Sequence, residues 1–172
     1  GGTEVTLHLE VGGKTETVVA DTVLMAAGRA VNTEGIGLEK VGVKLTDRGF
    51  IQIDPATFQT TVKGVYAIGD VAGPPMLAHK GTREGIMVAE VIAGHKPHQI
   101  DYSNVPSVTY CHPEVASVGL TEEAVKAAGV PYKVGRFPFS ANGRARATDE
   151  TDGFVKIIRG TEFDEILGAH IV

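Results

Sequence analysis

Residues 65–79 hold the densest chemistry in this chain. Val65-Tyr66-Ala67-Ile68 reads as an apolar strand running into Gly69 and the carboxylate of Asp70, and Pro75-Met76-Leu77-Ala78-His79 leads into a helix. Gly69 lacks a side chain, so backbone and ligand can approach closely there. Asp70, at the carboxyl end of the strand, offers an acceptor-only carboxylate to hydroxyl donors. The helix start adds backbone N–H groups without intrahelical partners and the positive end of the helix dipole. The set suits the sugar-like part of a large cofactor. Standing alone, Gly69-Asp70 would read equally well as a turn or cap at a strand end.

The elements that must position these residues fall into three sections. In the first, Val5, Leu7 and Leu9 alternate with polar residues as a half-buried strand does, Gly12-Gly13 supplies a hairpin turn, and Thr15 to Val19 returns. Val23-Leu24-Met25-Ala26-Ala27-Gly28 then reads as a fully apolar strand covered on both faces. In the second, Ile51 to Asp54 and Val65 to Ile68 read as strands. A helix is predicted from about Leu77 to Ala93, closed by Gly94 with Pro97 beyond. Ala78, Gly81, Gly85 and Ala89 share one face of that helix. Each interior glycine costs roughly 1 kcal/mol relative to alanine, which points to a backbone or cofactor coming very close, or to tight helix packing. In the third, strands are predicted over Val105–Tyr110, Val115–Val118, Tyr132–Phe139, Gly153–Ile158 and Ile166–Val172, with a short helix capped by Thr121-Glu122-Glu123 and stopped at Gly129-Val130-Pro131. That is an α+β pattern, an antiparallel sheet with a helix against it.

Thr61 followed by Val65-Tyr66-Ala67-Ile68-Gly69-Asp70 resembles the second FAD-binding motif of the pyridine nucleotide–disulfide oxidoreductases. Met76-Leu77-Ala78-His79-Lys80, Pro106-Ser107-Val108-Thr109-Tyr110, the run Pro113 to Glu122, and Phe137-Pro138-Phe139-Ser140-Ala141-Asn142 with Arg144-Ala145 resemble the dihydrolipoyl dehydrogenase branch of that family. The resemblance covers essentially the whole chain in order. It implies an α/β and α+β fold in three pieces: 1–28 the C-terminal end of an NAD-binding domain, 29–99 the C-terminal part of an FAD-binding domain, and 100–172 an incomplete interface (dimerisation) domain.

The resemblance also implies the site. The Asp70 carboxylate is similar to the one that binds the FAD ribityl chain. Met76, Leu77 and Ala78 would act through backbone N–H groups near the flavin pyrimidine edge, although the side chains of Met76 and Leu77 read equally as core. His79 reads as a ring placed for packing or a hydrogen bond at least as well as a catalytic one, and no acid–base work is assigned to it. Gly28-Arg29 resembles the Gly-Arg pair after the last NAD-domain strand, but Ala30-Val31-Asn32 follows where members often carry Pro before Asn. An exposed surface arginine is the alternative for Arg29. Gly69, Asp70, Met76, Leu77, Ala78, His79, Gly28 and Arg29 are thus the candidate cofactor-binding residues.

The family's other machinery has no counterpart here: neither Gly-x-Gly-x-x-Gly turn, no redox cysteine pair and no catalytic His-Glu. One cysteine, Cys111, cannot form an internal disulfide and reads as a small apolar strand residue. His112-Pro113 matches the start of the interface domain instead of a catalytic His-Pro, and a metal site would need more ligands at suitable spacing. Catalytic and metal-ligating residues are therefore expected to be none. The chain opens at Gly1-Gly2 without Met and closes on the apolar run Ile166–Val172, so both ends read as cuts in a longer protein.

What the resemblance implies of the parent is an FAD and NAD enzyme that oxidises protein-bound dihydrolipoamide. It implies a homodimer that docks on the acyltransferase core of a 2-oxo acid dehydrogenase complex, in the cytoplasm or, in a eukaryote, the mitochondrial matrix. The alternatives are a related FAD-dependent disulfide reductase and, for the chain alone, a non-catalytic dimerisation or cofactor-wall module. Composition bounds the rest. The chain has 172 residues, 42% hydrophobic, and a net charge of −5 with no basic cluster beyond Arg144-Ala145-Arg146. That argues against nucleic acid as a partner. No apolar run approaches the ~20 residues of a membrane span.

Overall fold

The computed structural model describes residues 4–172. Two compact units divide at residues 32 and 33. The first holds one hairpin, β1 (Val5–Val11) and β2 (Lys14–Ala20). Val11 faces Lys14 across a two-residue loop in which Gly12 and Gly13 have φ of 57° and 76°. Only turns with positive φ at both central residues match the strand twist in so short a loop, which accounts for the glycine pair. Of the expected half-buried face only Leu7 is partly buried; Val5, Leu9, Val11, Val18 and Val19 are exposed, since no further strand or helix of this unit covers either face among the described residues. The strand predicted at Val23–Gly28 does not form. Leu24 is 86% and Met25 84% exposed, and no strand pairs with the segment among the described residues. A fully apolar strand needs both faces covered, and among the described residues Val23, Leu24 and Met25 are left exposed.

The second unit begins with a single turn of helix, α1 (Leu38–Val41), set between Gly37 and Gly42. The strands predicted at Ile51–Asp54 and Val65–Ile68 reduce to isolated bridges, Leu45 with Ile51, Ile53 with Thr60 and Gln59 with Tyr66. Tight turns at Asp54–Phe58 and Val62–Val65 interrupt the chain before any ladder can extend. Phe58 holds a left-handed φ of 58°, unfavourable for a bulky residue, while its ring is 1% exposed; burial of the ring offsets the strain. Two apolar clusters result. Val43, Ile51 and Ala67 gather Leu38, Val62, Val71 and Ala72, whereas Phe58, Met87 and Val88 gather Tyr66 and Ile100; Ile53 packs against both.

A turn of 3₁₀ helix at Gly69–Ala72 leads to α2 (Ala78–Ile92), one residue inside each predicted end. The C-terminus of α2 closes as expected: Gly94, with φ 83°, donates its N–H to Val91 O at 3.0 Å and His95 donates to Glu90 O at 2.9 Å, the paired bonds of a Schellman motif.

The rest is a five-stranded antiparallel sheet ordered β3-β4-β7-β6-β5, from β3 (Ser107–Thr109), β4 (Val115–Gly119), β5 (Tyr132–Pro138), β6 (Phe154–Gly160) and β7 (Ile166–Ile171). Helix α3 (Glu122–Ala127) is capped by the Thr121 hydroxyl, which accepts the Ala124 N–H at 3.1 Å. Lys156 on β6 pairs with Glu122 of α3 at 2.5 Å, and Ile158, two residues on and so on the same face, is fully buried, as is Val125 of α3. Helix α4 (Gly143–Thr148) was not expected. Its signal is Asn142, whose Oδ1 accepts the N–H groups of Arg144 and Ala145 at 3.0 and 3.1 Å. Cys111 departs from the strand reading: it is exposed, beyond the end of β3, and its thiol donates to Pro113 O at 3.0 Å.

Ile158→Ala should destabilise the second unit by about 2–5 kcal/mol, and Ile158→Val by about 1 kcal/mol. Urea unfolding followed by circular dichroism reads both; equal midpoints for the two variants would contradict a close-packed environment around Ile158.

Candidate functional site

The Gly69–Gly73 turn and the first two turns of α2 lie against one another, and glycine makes that possible. Gly69 has φ 71°, a conformation L side chains rarely adopt. A Cβ placed on Gly81 would come within 3.2 Å of the Gly69 Cα, and one on Gly85 within 3.2 Å of Ile68 Cδ1. What approaches the small-residue face of α2 is therefore the chain's own backbone at Gly69 and the end of a side chain at Ile68.

A buried ion pair joins the two pieces. Lys80 is 3% exposed and Glu84 1%, one turn apart on α2, with Nζ 3.2 Å from Oε1. The Lys80 ammonium also donates to Gly69 O at 3.0 Å and Gly73 O at 2.7 Å. Glu84 Oε2 accepts the Gly69 N–H at 2.7 Å, and Oε1 accepts the Tyr102 hydroxyl at 2.7 Å. Burial, followed by the hydrogen bond to Glu84 and that residue's charge, pushes the Tyr102 hydroxyl far above the ordinary tyrosine range. It stays a donor. Among the described residues no buried side-chain polar atom lacks a partner.

On this frame the predicted site residues take the following places. Asp70 is exposed in the first turn of the 3₁₀ segment, and its backbone carbonyl accepts the Gly73 N–H at 3.3 Å. Met76 and Leu77 are half-buried. Leu77 is the N-cap of α2 and makes no side-chain cap; its N–H donates to Pro75 O at 3.1 Å and its carbonyl accepts from Gly81 at 3.2 Å. Helix geometry then leaves the N–H groups of Ala78, His79 and Lys80 without intrahelical acceptors. The His79 ring is committed elsewhere: Nε2–H donates to Pro106 O at 2.7 Å, at the approach to β3. Gly28 and Arg29 belong to the first unit, where Gly28 has φ 89° and donates to Ala26 O at 3.1 Å, and Arg29 is exposed.

Lys80, Glu84 and Tyr102 escaped the sequence reading as functional residues. The signal was present in their spacing. Lys80, Glu84, Met87 and Val88 fall on one stripe at helical intervals, so a charged pair on the stripe of the apolar cluster had to be buried.

The donor set fits the flavin cofactor implied by the family resemblance. An exposed carboxylate on a fixed turn stands beside a helix start whose backbone donors carry no side-chain cap.

Gly81→Ala and Gly85→Ala should part company. Both gain helix propensity worth up to about 1 kcal/mol, but at Gly85 the obstacle is the end of an isoleucine side chain, whereas at Gly81 it is clamped backbone. Thermal unfolding should place Gly81→Ala below Gly85→Ala by about 1–2 kcal/mol; equal gains would dispose of the Gly69–Gly81 contact.

Comparison with known proteins gives the family. Residues 2–85 match the model of the pyridine nucleotide-disulphide oxidoreductase family and residues 105–172 that of its dimerisation domain. The chain is 52% identical over its whole length to a dihydrolipoyl dehydrogenase of Trypanosoma brucei brucei, covering 36% of that protein. It is 48% identical, again over its whole length, to the human mitochondrial dihydrolipoyl dehydrogenase, covering 33% of it. Among solved structures, the HOCl-induced flavoprotein disulfide reductase RclA from Escherichia coli aligns with 99% of this chain and 38% of its own, at TM-score 0.87 and 27% identity. LpdA from Mycobacterium tuberculosis aligns with 92% and 34%, at TM-score 0.82 and 29% identity. The chain spans about a third of the length of the curated relatives it matches. With both family models matched in order, and a dimerisation sheet following a glycine–aspartate turn seated on a helix start, the chain belongs to the pyridine nucleotide-disulphide oxidoreductase family.

Proposed function

We propose that this chain is part of a flavoprotein that oxidises protein-bound dihydrolipoamide to lipoamide with NAD as the electron acceptor. The observation that carries the reading is identity of about 50% to dihydrolipoyl dehydrogenases over the whole chain, with the Gly69–Asp70 turn seated on the start of α2. In the overall reaction the dithiol loses two electrons and two protons, NAD takes up a hydride, and one proton is released. Bound FAD supplies the two-electron relay between the two substrates. The redox disulfide and the His-Glu pair belong to the parts of such an enzyme that this chain does not carry.

The chain's own contribution is binding and orientation. Asp70 accepts hydrogen bonds from ribityl hydroxyls, as a carboxylate on a fixed turn is suited to do. The N–H groups at the start of α2, of Ala78 above all, would hold the electron-rich pyrimidine edge of a bound flavin. Met76 and Leu77 shape the wall, and His79 fixes the helix start through Pro106. Gly28 and Arg29 are assigned to the cofactor-proximal end of the NAD domain. The exposed Val23, Leu24 and Met25 suit a strand whose neighbours lie in the remaining length of such an enzyme. The domain assignment is accordingly 1–28 to the NAD domain, 29–99 to the FAD domain and 100–172 to the interface domain. The parent is a homodimer through that last domain, serves the acyltransferase core of a 2-oxo acid dehydrogenase complex, and works in the cytoplasm or the mitochondrial matrix. No helix among the described residues is long and apolar enough to cross a membrane.

A second reading, a flavoprotein reductase for another disulfide, draws on the likeness to RclA; the 52% identity to a dihydrolipoyl dehydrogenase, against 27% there, supports the lipoamide reaction.

Two experiments test the proposal. The 172-residue chain by itself should give no lipoamide-dependent NADH production and at best weak FAD binding; turnover above a no-enzyme control, from a chain verified at 18.1 kDa, would refute this. In the intact flavoprotein, Asp70→Ala should weaken FAD binding about ten- to a hundredfold, the loss of hydrogen bonds to a charged group being about 1.5–3 kcal/mol. Flavin fluorescence titration of the apoprotein measures it, and an unchanged affinity would remove Asp70 from the site.

A further inference from the structure

We infer that Lys80, Glu84 and Tyr102 act as a positioning unit that sets the aim of the Asp70 carboxylate. The ligand's identity rests on the proposal above; the clamp itself does not. Gly69 is gripped from both sides, its N–H by Glu84 Oε2 at 2.7 Å and its carbonyl by Lys80 Nζ at 3.0 Å. That carbonyl belongs to the peptide group that also carries the Asp70 nitrogen, so the ammonium fixes the plane from which Asp70 departs. The same ammonium binds Gly73 O at 2.7 Å, closing the far end of the turn, and its third donor meets Glu84 at 3.2 Å. An ammonium has three donors, and all are spent. Tyr102 holds the carboxylate in place from outside the helix at 2.7 Å.

A purely stabilising role fits poorly. Buried ion pairs are weak contributors to stability and are often replaced by apolar pairs without loss. Lys80 also stands in the first turn of α2, where a cation opposes the helix dipole. An apolar pair would fill the same space, but it could not hold the N–H and C=O of one glycine at once. Orientation is what the charges add.

The test uses the intact flavoprotein with the double variant Lys80→Met/Glu84→Leu, which removes both charges together, and with Tyr102→Phe. The double variant should keep its circular dichroism and melt within a few degrees of wild type. Its FAD dissociation constant should rise at least tenfold, and Gly69 amide exchange, read by mass spectrometry or NMR, should accelerate at least tenfold. Tyr102→Phe should give a smaller change of the same sign in both. The decisive readout is coupling. Asp70→Asn should weaken FAD binding strongly in the wild-type background and less than twofold further in the double variant, because an Asp70 that is no longer aimed has little left to lose. Additive effects, or FAD affinity and Gly69 exchange both unchanged, would overturn the inference. Should the double variant not fold, Tyr102→Phe with Asp70→Asn supplies the same cycle. A wild-type protein that binds no FAD would sink the cofactor reading alone, and Gly69 exchange in Tyr102→Phe would still decide whether the clamp orders the turn.

Discussion

Everything near the candidate site depends on one buried ion pair binding the two peptide groups that flank Gly69. Placing Lys80 and Glu84 out of water carries a desolvation penalty of several kcal/mol per ion, and only full hydrogen bonding repays it. The partners that do so are Gly69, Gly73 and Tyr102, so helix and turn are drawn together until their backbones touch. That closeness crowds any side chain at Gly81, and the left-handed φ favours glycine at 69. The glycines and the charges are one solution to one geometric demand. The apolar clusters then flank the clamp: Ala67, Val71 and Ala72 pack on one side of the turn, while Met87 and Val88 continue the Lys80–Glu84 stripe into the other.

The clamp also reaches the sheet. Tyr102 begins a short 3₁₀ turn whose N-cap Asp101 accepts the Ser103 N–H at 2.9 Å, the Ser103 hydroxyl at 2.6 Å and the Asn104 amide at 2.7 Å. The two Ser103 bonds, the hydroxyl's first, hold the Asp101 carboxyl below the usual carboxylate range. Two residues further on, Pro106 O accepts from His79, and β3 starts at Ser107. The stretch 101–107 is thus tied to the start of α2 at two points before the antiparallel sheet begins. The helix start that offers backbone donors and the edge of the dimerisation sheet share one connector, so displacing either strains the other.

Much of the fold was legible because its signals are local. The Gly12-Gly13 hairpin, the Gly94 stop of α2, the Thr121 cap and the five strands of the sheet each follow from residues within a few positions. The failures share a cause. Val23–Gly28 and Val65–Ile68 have strand composition, but a strand is a pairing between distant segments. Composition cannot supply the partner, nor foresee that turns at 54–58 and 62–65 cut the ladder to single bridges. Helix α4 was missed for the opposite reason: six residues with a glycine at the first position carry too little periodicity, and only the Asn142 cap gave it away.

At the site, residue type told which groups could bind but not which were already engaged. The Leu77 N–H, the His79 ring and the small face of α2 all looked available to a ligand, and each is taken up by the chain itself, by Pro75, Pro106 and Gly69 respectively. Conversely, Lys80 and Glu84 were not singled out, although they form an i,i+4 pair in the less favourable order, with the cation N-terminal. That order is itself informative. A pair set against the helix dipole and on the apolar stripe has no reason to exist as helix stabilisation, so its purpose has to be sought in what it binds. Here that is the two peptide groups flanking Gly69, the second of which carries Asp70.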